Sequence, residues 1–280
     1  MLLPAMNDTI LSNLCPSFPT IFTYVQGLWN DVIWTTATRE AFRKDPKRWY
    51  SDFWRVYFEE GTVYQPNPAH DALASILNEF PSVRQITQNI DGLQAPSSQL
   101  IEVHGRIGLY KCCPDDDSDT DSDSDDDQDR AVHLGHRRKA KAAAKSPVCP
   151  YQFTSSLKKE ELVNNRADGT PRCPYCRNVA MPQALLFDEG YHSHSFYQFE
   201  HAEDWLSAAQ VLVFCGTSFS VSLTDEALTF AREAQIPVFN LNLQDTLDST
   251  AYLDASNVLG PATETLPLLL QLCRSIRDAK

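Results

Sequence analysis

Apolar residues in this chain recur with two different periods. The stretch "QVLVFCG" is a short continuous apolar run, the pattern of a buried parallel strand, and "VRQIT" and "PVFNLNL" read as further strands. Between them the period lengthens to that of a helix. In "NPAHDALASILNEF", Asn67 is an N-cap, Pro68 takes the first helical position, and Leu73, Ile76, Leu77 and Phe80 share one face. "LTDEALTFAREAQ" reads as a second helix, and "TLPLLLQLCRSIRDA" as a closing helix with Leu266, Leu269, Leu270 and Cys273 turned inward. Strand alternating with helix predicts an α/β fold, a parallel sheet covered by helices on both faces. Ligands of such sheets bind beyond the carboxyl ends of the strands. The segments predicted there are "TQNID", "GTSFSV" and "NLN", all polar or glycine-containing, as a nucleotide's ribose and amide groups would require.

Composition changes this picture in four ways. At 280 residues and 42% hydrophobic, the chain is long enough for a sizeable core and for two domains. No apolar run approaches the roughly 20 residues that span a bilayer, and "MLLPAMNDTILSNLC" lacks a signal-peptide pattern, so an intracellular protein without membrane contact is expected. Eight cysteines in a reducing compartment read as thiols or metal ligands rather than disulfides. The net charge of -13 is concentrated in residues 115 to 129, whose ten aspartates, once removed, leave -3.

Like charges so dense bury nothing, and that run is expected to be disordered. A basic cluster follows, formed by Arg137, Arg138, Lys139, Lys141 and Lys145. Together the two blocks form one solvated insertion, about 114–147. The plain reading is a spacer. The sharper ones are a nuclear-localisation signal in the basic part and a docking site for basic partners such as histones in the acidic part. Ser118, Ser122 and Ser124 each precede an aspartate by three residues, which suits an acid-directed kinase.

The most specific local pattern is Cys173 and Cys176 in "RCPYC", a spacing that lets two thiolates meet one tetrahedral zinc. The other half of a site is expected from Cys149 together with Cys112 or Cys113, across the charged insertion. A long loop between them costs little extra to close, because closure entropy grows only logarithmically. A redox pair or plain buried thiols are the alternatives. Cys215 and Cys273 read as small apolar residues of the core, and Cys15 is unassigned.

In order along the chain, "TQNIDGL", "EVHG", the cysteines, "MPQALLFDEGY", "CGTSFSV" and "FNLN" resemble the sirtuins, the NAD-dependent protein lysine deacylases, over roughly residues 27–275. The resemblance implies a Rossmann-like domain from 1–108 and 180–280, including a helical module at about 28–70, with a small inserted zinc-binding module at 109–179. It implies NAD and structural zinc as cofactors, and acetylated protein lysines as substrate, with histone tails as candidates. His104 is implied as the general base, since a neutral imidazole can accept a proton near neutral pH. Gln88, Asn89 and Asp91 are implied to hold nicotinamide and its ribose. Gly216, Thr217 and Ser218 match the turn at ribose and phosphates, and Asn240 and Asn242 the adenosine-ribose contacts. In "LLFDEGY", Phe187, Asp188 and Glu189 match the strand that pairs with the substrate backbone, Phe187 flanking the acyl-lysine tunnel.

Three departures qualify the resemblance. Asp188 stands where the family usually has glycine. The family's opening strand and Gly-Ala-Gly loop are not recognisable, and no two of the ten glycines are separated by a single residue. The missing strand is expected to be replaced by "TIFTYV" or by "NDTILSNL", or the chain is a truncated or mis-spliced product. Where some relatives hold acidic acyl groups with a Tyr-x-x-Arg pair, the loosely aligned residues are Asp52 and Arg55, and an aspartate there favours acetyl. The leading expectation is thus an NAD-dependent deacetylase, nuclear by its basic cluster or else cytoplasmic, with no direct nucleic-acid contact. A catalytically impaired binding module for acylated or basic tails, and an ADP-ribosyltransferase variant, are the alternatives.

Overall fold

The structure is a computed structural model, and it describes residues 2–3, 35–59, 65–113, 149–164, 169–219, 221–245 and 255–279. The charged insertion, Cys15, "NDTILSNL" and "TIFTYV" lie outside these residues. Six parallel strands form the main sheet: β1 (Leu2–Leu3), β2 (Gln85–Thr87), β3 (Leu100–Glu102), β9 (Leu212–Cys215), β10 (Val238–Asn242) and β11 (Ala255–Leu259). They run in the order β3, β2, β1, β9, β10, β11. The central slot is filled by β1, in register with Ile86 and Phe214. Neither segment proposed from sequence supplies that described strand. The order reverses between β1 and β9, which places the ligand-binding crevice of a doubly wound sheet beyond their carboxyl ends.

Alternation along β9 builds both layers of core. Leu212 and Phe214 face one side with α5 (Phe199–Ser207) and α6 (Ser222–Ala234), while Val213 and Cys215 face the other with α3 (Pro68–Glu79) and α7 (Ala262–Asp278). Helix α3 begins where the sequence predicts. Asn67 Oδ1 accepts from the Ala69 and His70 amides, and the Asn67 amide donates back to His70 Nδ1. Leu73, Ile76 and Leu77 are buried, each contributing about 1.5–3 kcal/mol. Helix α7 starts three residues earlier than its periodicity suggests, with Pro261 as N-cap, and buries Leu266 and Leu270 with Leu269 packed beside them. No helix among the described residues is long and apolar enough to cross a membrane.

A second sheet is antiparallel, in the order β5 (Leu157–Lys158), β4 (Gly105–Cys112), β8 (Ala180–Ala184), beside a hairpin of β6 (Val163–Asn164) and β7 (Pro171–Arg172). The helical module comprises α1 (Arg39–Lys44), α2 (Pro46–Trp49) and a π-helical segment, Tyr50–Glu59. Its aromatic residues Phe42, Trp49, Tyr50, Phe53 and Trp54 share one core with Tyr110, Leu157 and Met181 of the second sheet. Tyr50 Oη donates to the Ala180 carbonyl at 2.8 Å, so the two modules pack as one body.

A buried ion pair ties this body to the main sheet's loops. Lys111 Nζ donates to both oxygens of Glu189, at 2.7 and 2.8 Å, and to Tyr197 Oη at 2.8 Å. Burial alone pushes the ammonium pKa down, but Glu189 and Tyr197 more than offset it and the net shift is upward. Removing one partner strands the other charge, so Lys111→Ala is expected to destabilise the protein by about 3–5 kcal/mol in chemical denaturation. The exposed pair Arg48–Asp52 is screened by solvent and is expected to contribute little to stability.

Candidate functional site

His104 closes the short link between β3 and β4, and Gly105 makes that position possible. Gly105 has φ +91°, and a Cβ there would lie 1.9 Å from the Gln183 carbonyl oxygen. The His104 carbonyl accepts from the Leu185 amide at 2.9 Å, and the Val103 amide donates to Thr87, so backbone bonds fix the residue from both sides. The ring is half-buried, with Nε2 3.1 Å from Tyr191 Oη, and it also hydrogen-bonds to the Gln88 backbone. Burial pushes its pKa down to about 4, partly countered by the Gln88 bond.

The imidazole is therefore neutral at cell pH and able to accept a proton. Buried His194, also pushed down to about 4 by burial and by nearby Lys111, behaves alike. Both values lie below the unfolded-state value of about 6.5. In acid the unfolded chain therefore binds protons that the folded chain refuses. Stability is expected to be fully present above about pH 6.5 and to fall as pH drops through about 4. The acid limb of kcat/KM is expected near 4, and a limb at 6.5 in a pH–rate profile would contradict the burial of His104.

The residues after β2 follow from Gln88, whose backbone meets this ring. Asn89 Oδ1 is buried without a hydrogen-bond partner, an acceptor suited to an amide N–H. Asp91 accepts from the Leu93 amide at 3.0 Å, which holds the loop in a tight turn. At the carboxyl end of β9, Gly216 has φ +62° and donates to the Leu241 carbonyl at 2.7 Å. Thr217 is buried, its hydroxyl accepting from the Phe219 amide, and Ser218 is exposed. Asn242 reaches this turn, donating through Nδ2 to the Thr217 carbonyl at 2.8 Å. Asn240 is placed differently: it is fully buried inside the sheet and donates to Asn257 Oδ1 of neighbouring β11.

The "FDE" residues also divide by role. Phe187 is 46% exposed. Its amide donates to the Ala37 carbonyl at 3.1 Å. Asp188 accepts from the Arg39 and Glu40 amides at 2.6 and 2.9 Å, capping the first turn of α1. Glu189 is buried in the pair with Lys111. The two carboxylates anchor the loop that carries exposed Phe187 to the helical module and to β4. Asp52 accepts from Arg48 Nε and Ser51, and Arg55 donates to the Gly169 carbonyl over the Tyr50 ring.

Four thiols converge from three points of the chain. Cys112 ends β4, Cys149 caps α4 (Pro150–Phe153), and Cys173 and Cys176 lie beyond β7. All four sulfurs lie within 4.8 Å of one another, with Cys112 to Cys176 at 3.2 Å and Cys149 to Cys173 at 3.6 Å. This selects Cys112 over Cys113, which is outside the cluster. Burial and the neighbouring sulfurs raise the Cys112 and Cys149 pKa values, the latter to about 12. Thiols crowded in this way favour a divalent cation that stabilises their thiolates, and an all-cysteine tetrahedral set suits structural zinc.

Comparison with known proteins adds the decisive observation: the profile described as Sir2 family matches residues 22–223. The chain belongs to the Sir2 family of NAD-dependent deacylases. Among its relatives is the NAD-dependent deacetylase sir2E of Dictyostelium discoideum, 32% identical over 87% of this chain and 65% of that protein, so the chain spans about two-thirds of that relative. An NAD-dependent protein deacylase of Leptospira interrogans is 26% identical over 90% of this chain and 85% of its own length. A Sir2 homologue in complex with NAD has the same fold, with a TM-score of 0.60 at 23% identity over 89% of this chain and 81% of that one. A Sir2 protein bound to acetylated peptide superposes with a TM-score of 0.58 at 18% identity, covering 84% and 82%.

NAD, the sirtuin cofactor, fits the residues present here. The lone Asn89 acceptor suits its carboxamide, and the turn at Gly216 lies at the crevice where the strand order reverses. When bound, it supplies an electrophilic ribose carbon with nicotinamide as leaving group. Tyr191 closes the "LLFDEGY" stretch, but its contact with His104, 87 residues away, has no local signal in the sequence.

Proposed function

We propose that this chain is a lysine deacetylase acting on acetylated protein tails, histone tails among them, in the nucleus. The observation that supports it best is a neutral His104 on the link after β3, bonded to the backbone of Gln88 just before the unpartnered Asn89 acceptor. Asn89 and Asp91 orient the nicotinamide end, and Gly216, Thr217 and Asn242 line the turn for ribose and phosphate. His104 Nε2 takes the proton of a ribose hydroxyl, and Phe187 borders the path of the acyl-lysine. Acetyl is favoured over acidic acyl groups because Asp52 is already ion-paired on an exposed helical face and Arg55 is engaged with Gly169. Nuclear residence and histone substrates are supported by the basic cluster at Arg137 to Lys145 and the aspartate run before it.

The absence of any Gly-x-Gly supports a second reading, a binding module with weakened turnover. A panel of histone-tail peptides carrying acetyl- or succinyl-lysine separates the readings. Turnover of acetyl at least tenfold faster than succinyl is expected, and peptide binding without turnover of either would favour the module.

A further inference from the structure

We propose that Tyr191 is a positioning residue for the general base, fixing Nε2 of His104 as the proton acceptor, with Ser222 holding Tyr191 in turn. Tyr191 lies in the turn Tyr191–Ser193, beside the cleft-facing "FDE" loop. Its hydroxyl is 3.1 Å from His104 Nε2, and the rings stack at 5.7 Å with an interplanar angle of 26°. On its other side the Tyr191 ring stacks on Phe199 at 4.4 Å and 12°, which leaves it little freedom to tilt. The hydroxyl also hydrogen-bonds to the Ser222 side chain, on the first residue of α6.

The direction of each bond follows from what each group can donate. The His104 ring gives its N–H to the Gln88 backbone, which as an acceptor of that proton favours the charged ring. A neutral imidazole has one N–H, so Nε2 is left with its lone pair. Tyr191 must then donate to Nε2, and Ser222 to the Tyr191 oxygen. With Gln88 setting the tautomer, this chain of hydroxyls fixes one ring plane before any ligand arrives, and Tyr191 yields the Nε2 lone pair to the ribose hydroxyl when cofactor binds. The inference rests on His104 being the base, and it deepens the account of that site.

The test reads the ring itself, in the absence of cofactor. Nitrogen-15 spectra of the full chain are expected to show one His104 tautomer, with an unprotonated Nε2. In Tyr191→Phe, which removes only the hydroxyl, the Nε2 resonance is expected to shift as its lone pair loses a donor, while the Gln88 bond keeps the tautomer. Steady-state kcat is expected to fall roughly 3- to 10-fold, the loss of one hydrogen bond, with KM for NAD unchanged. Ser222→Ala is expected to give a smaller loss and to add nothing in the Tyr191→Phe background. An Nε2 resonance unshifted in Tyr191→Phe, with kcat unchanged, would overturn the proposal. Full activity in His104→Ala would instead overturn the base assignment on which it rests, so the two failures are distinguishable.

Discussion

His104→Ala is expected to slow deacetylation by about 10²- to 10⁴-fold, the contribution of a positioned general base. The substitution should leave the fold in place. The His104 ring is only half-buried, its backbone bonds to Leu185 and at Val103 remain, and the Tyr191 hydroxyl keeps Ser222 as a partner. On the proposed reading NAD is held by other residues, Asn89 and Asp91 at one end and the turn from Gly216 with Asn242 at the other. Calorimetry should therefore give the variant a cofactor affinity within a few-fold of the parent protein while steady-state assays show the collapse in kcat. A loss smaller than tenfold in kcat would show that another group takes the proton.

Loss of zinc should be equally severe, but through stability. The elements that carry the four cysteines are too short to persist alone: β7 has two residues and α4 has four. Coordination by four thiolates therefore contributes folding free energy directly, on the order of 10 kcal/mol in apparent terms. Cys112→Ser and Cys176→Ser are expected to abolish zinc retention and to strip hydrogen-exchange protection from β4 and β8, while β9 and β10 stay protected. Because the aromatic residues of the helical module share the core of that sheet, their packing should loosen too. Cys113→Ser should keep its metal, since that thiol is outside the cluster. Metal analysis alongside exchange mass spectrometry checks both statements, and unchanged protection after chelation would refute a structural role.

The parts of this fold written in local pattern were legible from sequence. Helix α3 announces itself through Asn67, Pro68 and an apolar face, and β9 through an unbroken apolar run, because caps and periodicity act within a few residues. The cysteine spacing gave half of the metal site and left Cys112 and Cys113 undecided, a choice that only the direction of side chains at the end of β4 makes. What could not be read depends on distant contacts. Asp188 stands out as a departure from glycine, yet its role as a cap on α1 requires amides 149 and 148 residues away. Glu189 lies in a loop that looks like a substrate contact, and its buried partner Lys111 is 78 residues distant. Asn240 resembles a ribose contact by its position near the end of β10, but residues along a strand alternate sides, and its side chain is engaged with Asn257. The central strand β1 is two residues long, below the length at which any period can be seen.

The account depends on a cleft that brings NAD to His104 although no Gly-x-Gly turn is present in the chain. Product analysis by mass spectrometry, with the full chain, NAD and an acetylated histone-tail peptide, tests this most directly. Nicotinamide, free lysine peptide and acetyl-ADP-ribose in equal amounts are the predicted result. No nicotinamide from zinc-loaded, folded protein, or nicotinamide released while the acetyl group stays on the peptide, would contradict it.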